Sequence, residues 1–312
     1  MRPFAIPMRT RFRGVTERAG VLIEGPQGWG EFSPFPDYPA KECARWAAAA
    51  KEAANVAWPP ALRERVPINA IVPAVGPDRA HAIVLASGCR TAKVKVAEPG
   101  ETLHDDLARC EAVRDALGPS GRMRIDANAA WDVDTAAKAL SELERFDLEY
   151  AEQPVATLEE MARLRGRVDV ALAADESVRT AADPLRIAGL GAADVVVLKV
   201  QPLGGVRAAL RVAEAAASEA ALSFVVSSAV ETSVGLAAGL ALAAALPELP
   251  YACGLGTLAL LDGDVVADPL TPTGGDLVVR RPAVDPDRLS RWASGPDVAA
   301  ALRRRYEEAA RT

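Results

Sequence analysis

From about residue 66 the chain alternates short apolar runs with longer stretches of helical periodicity. The runs are Pro67–Val72, Ala92–Val96, Met123–Ile125, Leu148–Ala151, Ala171–Ala174, Val195–Val200, Ser223–Ser227 and Tyr251–Gly254. Several are continuously apolar, as parallel strands buried on both faces must be. Between them, Leu103, Leu107, Cys110, Val113 and Leu117 follow helical spacing, and Gly118-Pro119 ends that helix. Thr157-Leu-Glu-Glu160 predicts a capping box ahead of Met161 and Leu164, with Gly166 as the stop. Gly205–Ala221 and Glu231–Leu246 are Ala-rich helix formers. Eight strands with crossover helices predict an α/β fold, a TIM-type (β/α)7β barrel rather than an open sheet. The alternative, a doubly wound sheet, would want a glycine-rich phosphate turn after its first strand, and Val75-Gly-Pro-Asp78 does not supply one.

Residues 1–65 read differently. Gly20–Glu24 and Trp29–Phe32 predict a hairpin around Gly25-Pro-Gln-Gly28, and Asp37–Ala57 a single helix. After Gly254 the chain turns rich in Pro, Gly and Asp and ends in a helix near Asp297–Ala310. The expected organisation is an α+β capping domain over 1–65, completed by about 285–312, and a barrel over 66–284.

Composition narrows the function. The 312 residues are 50% apolar and 25% charged, with a net charge of −6, which disfavours nucleic-acid and anionic-membrane partners. Arg303-Arg304-Arg305 is expected to be a solvated helix face, since Glu307 and Glu308 follow. Cys43, Cys89, Cys110 and Cys253 form no C-x-x-C pair, so buried inert thiols in a reducing compartment are expected. The chain opens without a signal-peptide pattern, and its longest apolar run, Val234–Leu246, is too short for a bilayer, so a soluble cytoplasmic protein is expected. There are two histidines, His81 and His104; His104 falls on a predicted helix remote from the strand ends, and histidine catalysis is not expected.

The lysines point to chemistry. The chain has six lysines against thirty arginines, and three of the six lie in two apolar segments: Lys93 and Lys95, then Lys199. Arginine keeps its proton, whereas a buried lysine or one near other cations can lose it. Lys93 and Lys95 are two apart and share a strand face. Between the two segments, Asp126, Glu152 and Asp175 close three successive strands. One such acid is usually a helix cap or a surface residue. Five consecutive strands ending Lys, Asp, Glu, Asp, Lys are not explained by capping. The C-terminal strand ends of a TIM barrel form the active-site mouth, and three carboxylates there suit one hard cation, Mg²⁺. The lysines would then flank the metal with substrate between them.

Taken together, Lys93-Val-Lys95, Ile125-Asp126-Ala-Asn128, Glu152-Gln-Pro154, Asp175-Glu-Ser177 and Val197-Leu-Lys199 resemble the enolase superfamily in its muconate-lactonising branch. Within that branch the chain is most similar to the o-succinylbenzoate synthases. The similarity lies in its short length, in Arg18–Ile23 and Gly28–Phe35, and in Ser227-Ser-Ala-Val-Glu-Thr-Ser233 with Cys253-Gly-Leu-Gly-Thr257. The resemblance implies a dehydratase of menaquinone biosynthesis that takes a small-molecule carboxylate. It implies Mg²⁺, with Mn²⁺ as a substitute, on Asp126, Glu152 and Asp175. It implies Lys95 as base, Lys199 as a cation over the ring and Lys93 as added positive potential. Asn128 and Glu176 would orient ligands. Ser227, Ser228 and Gly254 would hold the succinyl carboxylate, and a loop over Phe32–Tyr38 would close the site. Rival readings are an N-succinylamino acid racemase, a dipeptide epimerase, a Schiff-base aldolase on Lys199 and a non-catalytic barrel. The absence of an Asp-x-Asp at strand eight counts against the epimerase. The oligomeric state is left open, a monomer being allowed.

Overall fold

In the computed structural model, which describes residues 1–178, 183–219 and 222–312, seven of the eight apolar runs are strands of one parallel sheet. Ahead of it, β1 (Arg2–Phe12), β2 (Val15–Gly25) and β3 (Gly28–Phe32) form an antiparallel sheet, and α1 (Ala40–Asn55) packs against it. The predicted hairpin is therefore longer, and β1 joins it as a third strand. Next come β4 (Arg65–Pro67), β5 (Ala70–Val72), α2 (Pro77–Ser87), β6 (Thr91–Lys95), α3 (Leu103–Leu117), β7 (Arg122–Asp126) and α4 (Val133–Leu143). They are followed by β8 (Leu148–Glu152), α5 (Leu158–Arg165), β9 (Leu172–Ala174), α6 (Asp183–Leu190), β10 (Val195–Leu198), α7 (Val200–Leu203) and α8 (Val206–Glu219). The chain ends with β11 (Ser223–Val226), α9 (Ser233–Ala245), β12 (Asp276–Val278), α10 (Pro286–Arg291) and α11 (Pro296–Ala309). The last two residues of the helix expected over Gly205–Ala221 lie outside the described residues.

The parallel sheet runs in chain order from β5 to β11. Neighbouring order with a helix between strands is what short right-handed crossovers produce. The eighth run forms no strand among the described residues. It is reduced to two parallel bridges, Ile68 with Cys253 and Ser227 with Gly254. These carry hydrogen bonds to both sheet edges: Cys253 N to Pro67 O, Asn69 N to Cys253 O, Gly254 N to Val226 O and Ser228 N to Gly254 O. The first run is split, with β4 turning away to pair with β12.

The local signals fold as their chemistry dictates. Thr157 and Glu160 form the reciprocal capping box, and Asp132 caps α4 through Thr135 N. The tail packs on the N-terminal unit: Tyr306 meets Phe32 edge-to-face at 5.2 Å, and Lys51 Nζ donates to Ala310 O at 2.9 Å. One expectation for the tail fails. Arg303 and Arg304 are exposed, but Arg305 turns inward and donates to the carbonyls of Pro34, Phe35 and Tyr38. The helix passes over a loop that offers the guanidinium three carbonyl acceptors, and that outweighs solvation. The four cysteines are free and buried, as expected. Among the described residues no helix is long and apolar enough to cross a membrane.

Candidate active site

The strand register brings the lysines and carboxylates together. Lys95 on β6 stands opposite Asp126 on β7, and Asp126 opposite Glu152 on β8. Asp175 follows β9, and Lys199 is the residue between β10 and α7. All six side chains are buried or nearly so. Lys95 Nζ donates to Asp126 Oδ2 at 2.7 Å and to Asn128 Oδ1; Lys93 Nζ donates to Glu152 Oε1 at 2.6 Å and lies 3.4 Å from Asp126; Lys199 Nζ donates to Asp175 Oδ2. Asn128 also donates to Glu176 Oε1 at 3.0 Å and so links Lys95 to that acid. Asn128 and Glu176 thus lie beside the six charged groups.

Each of the three carboxylates faces a lysine. Among the described residues, no three acidic, thiol or imidazole groups are drawn close enough to hold an ion as they stand. Burial works against the charge of Asp126, but Lys95 and Lys93 outweigh it and hold the carboxyl well below the usual range. Glu152 is pushed up to about 7, first by burial and then by Asp126 and Asp175, despite Lys93. Lys93 is held above its ordinary value because Glu152 and Asp126 outweigh the cost of burial. The donor set fits a hard divalent cation: it is oxygen-only, buried, on adjacent strand ends and crowded enough to raise one member.

A pocket opens over these groups. It is lined by Lys93, Lys95, Asp126, Asn128 and Lys199 below, with Ser227, Ser228, Ala229, Val230 and Thr257 on one wall. Ser228 and Thr257 share a hydrogen bond of 2.6 Å. Gly254 stands behind this wall, accepting from Ser227 Oγ and Ser228 N. A Cβ on Gly254 would run into Ser227 Oγ. Phe32, expected at the site, does not line this pocket. Its ring is fully buried against Tyr306, and the ring that reaches the pocket is Phe35. Phe32 belongs to β3, whose alternation turns it to the core, while Ser33-Pro34 breaks the strand and redirects Phe35.

Two pocket residues had no sequence signal. Phe12 and Arg13 sit at the β1–β2 turn, with Arg13 at φ +50°. The ammonium of Lys95 lies 5.0 Å from the Phe12 ring centroid. Arg13 donates to the Tyr38 hydroxyl at 3.1 Å and lies 3.8 Å from Glu176. Gln153, read only as part of Glu152-Gln-Pro154, is fully buried at φ +37°. Its Oε1 accepts from Asp175 N and Ser177 N, and so ties the end of β8 to the acid after β9.

The N-terminal sheet grips the β11 side of the pocket through Glu31. Its carboxylate accepts from Thr232 N and Oγ1, Gly235 N and Ser33 Oγ. Burial still pushes this carboxyl up from 4.5 to about 7, against the bonds from Thr232 and Ser33. The folded state therefore binds this proton more tightly than the unfolded state. The stability contributed is full below about pH 4.5 and is lost as pH rises through about 7. Glu31→Gln should remove that part of the pH dependence of Tm. Equal loss in wild type and variant across this window would contradict the assignment.

Comparison with known proteins gives this geometry a family. Residues 4–54 match the family described as enolase N-terminal domain-like, and residues 77–284 the one described as enolase C-terminal domain-like. An o-succinylbenzoate synthase of Thermobifida fusca is 62% identical over 289 residues, 93% of this chain and 90% of the relative. The chain belongs to the o-succinylbenzoate synthase family of the enolase superfamily. A second o-succinylbenzoate synthase, from Mycolicibacterium smegmatis, is 52% identical over 93% of this chain and 88% of its own length. Among solved structures, muconate lactonizing enzyme from Pseudomonas fluorescens superposes with a TM-score of 0.80 at 21% identity, covering 94% of this chain and 97% of that one. The L-Ala-D/L-Glu epimerase of Bacillus subtilis gives 0.79 at 22%, covering 90% and 95%. At such identity these two show the fold alone.

Proposed function

We propose that this chain is a divalent-metal-dependent carbon–oxygen lyase that converts 2-succinyl-6-hydroxy-2,4-cyclohexadiene-1-carboxylate to o-succinylbenzoate in menaquinone biosynthesis. One observation carries the reading: Lys93, Lys95 and Lys199 meet Asp126, Glu152 and Asp175 in one buried cluster under an aromatic roof, in a chain this similar to named o-succinylbenzoate synthases. The architecture that goes with it is a (β/α)7β barrel over 66–284, with a cap made of 1–65 and about 285–312. The hydrogen bonds from Cys253 and Gly254 to both sheet edges, and the packing of α11 on the first unit, support that division. The four unpaired cysteines suit a cytoplasmic location.

Charge supports the substrate class. Four carboxylates, Asp126, Glu152, Asp175 and Glu176, face four cations, Lys93, Lys95, Lys199 and Arg13. Once Lys95 is neutral, as the base must be, the set is one negative, and a divalent ion would leave it one positive, which favours an anionic substrate. Asp126, Glu152 and Asp175 would hold Mg²⁺, which supplies charge stabilisation for an ene-diolate when bound.

The chain's own residues carry the proton. Lys95 Nζ takes the proton from the carbon α to the ring carboxylate, and the electron pair moves toward that carboxylate. The pair then returns to form the ring double bond as the C–O bond breaks. Lys95, now an ammonium, gives its proton to the departing hydroxyl, so water leaves and the ring becomes aromatic. Lys199 remains protonated, held so chiefly by Asp175 and Glu176 against burial. It offers a cation to the ring. Phe12, Phe35 and Arg13 roof the site and exclude water. Ser227 and Ser228 face the succinyl arm. A Schiff-base role for Lys199 would leave three buried carboxylates without a task, and we set it aside.

The purified protein with Mg²⁺ should convert the cyclohexadiene substrate to a single product lighter by one water, identified by mass spectrometry. Recovery of unchanged substrate would overturn the reading.

A further inference from the structure

We propose that Arg18 is a positioning residue that shapes the substrate-binding wall by holding Val230 in a left-handed backbone conformation. The inference deepens the dehydratase reading and rests on it for its kinetic prediction. Arg18 lies on β2 of the N-terminal sheet, is 2% exposed and touches none of the reacting groups. Its Nε donates to Val230 O at 3.0 Å, and its Nη2 donates to Ala229 O at 3.1 Å and to Ser33 O. The guanidinium also stacks on the Phe35 ring, 4.2 Å from the centroid. One side chain thus binds the pocket roof at Ser33 and Phe35 and the pocket wall at Ala229 and Val230.

The wall is a segment that would not take this shape alone. Val230 has φ +63°, a region that β-branched residues avoid and that persists only where the surroundings impose it. Three constraints are visible. Arg18 holds the carbonyls of Ala229 and Val230, Glu231 Oε2 accepts from Ala229 N at 2.8 Å, and Glu31 fixes Thr232 just beyond. Among the described residues, the side-chain hydrogen bond to Val230 itself comes from Arg18. A planar fork with five donors can serve several carbonyls at once, and an ammonium on a flexible stem cannot hold the same fixed geometry.

The wall lines the same pocket as Ser227 and Ser228, which would meet the succinyl arm. Loosening it removes contacts made equally in ground and transition states, so KM rises while kcat holds. Arg18→Lys should raise KM for the cyclohexadiene dicarboxylate about tenfold, the size of one charge-assisted hydrogen bond, with kcat changed less than about twofold. Glycine adopts positive φ without a steric cost. In a Val230→Gly background the same Arg18→Lys change should therefore raise KM less than about twofold. A purely structural role would lower Tm and give the same KM penalty in both backgrounds, which would overturn the proposal.

Crystal structures decide the point independently of turnover. In Arg18→Lys, Val230 should leave the left-handed region, and Val230 remaining at positive φ would overturn the proposal. If wild type does not convert the substrate, the dehydratase reading fails and this crystallographic comparison still tests the inference. If Arg18→Lys alone does not fold, recovery of folding in the double variant supports the proposal, and failure of the double variant as well overturns it.

Discussion

Replacing Lys95 by arginine should lower kcat by about a thousandfold, because one residue both removes the proton and returns it. Arginine keeps the positive charge and the hydrogen-bond capacity, so it can still pair with Asp126 where Lys95 Nζ does at 2.7 Å. What it lacks is a neutral form near neutral pH. The variant should retain its Mg²⁺ affinity within about tenfold, by calorimetric titration, since the carboxylates are untouched. This separates loss of the base from loss of the site. A Lys95→Arg protein that turns over within tenfold of wild type would remove the base assignment.

Stripping divalent metal should lower turnover by more than about a thousandfold, given the several kcal/mol a metal contributes to stabilising developing charge. Added Mg²⁺ should restore the rate. The fold should survive, because Lys93, Lys95 and Lys199 already give Glu152, Asp126 and Asp175 counter-charges. Circular dichroism should therefore stay unchanged while product formation stops. Asp126→Asn should weaken Mg²⁺ binding by calorimetry, a readout that does not depend on activity. Full turnover after exhaustive chelation would exclude the carboxylate trio as ligands.

The parallel sheet was readable from sequence because buried parallel strands are continuous apolar runs, and the cluster because period-two spacing put Lys93 and Lys95 on one face. The Thr157 box and the Asp132 cap were readable for the same local reason: both ends of each interaction lie within one turn. What escaped depends on contacts between distant segments. Strand β1 carries Pro3 and Pro7, which cannot donate to a ladder, yet β1 is an edge strand of its sheet, where proline is tolerated. Phe32 and Phe35 are three residues apart, and only the break at Ser33-Pro34 decides which reaches the pocket. Arg13 is one of thirty arginines, distinguished by the pocket it lines, and Arg18 by the distant carbonyls it holds. The loops after the strands bend through Ala97, Gln153 and Val230 at positive φ, a conformation their residue types do not announce. Arg305 left its expected solvated face for carbonyls more than 260 residues away in sequence. Sequence placed the charged groups at the strand ends; the structure added that each acid already holds a lysine.

The most direct test follows o-succinylbenzoate by its aromatic absorbance in three parallel reactions, with Mg²⁺-loaded wild type, chelated wild type and Mg²⁺-loaded Lys95→Arg. The account predicts product in the first alone. Product at comparable rates in all three, or in none, would contradict it.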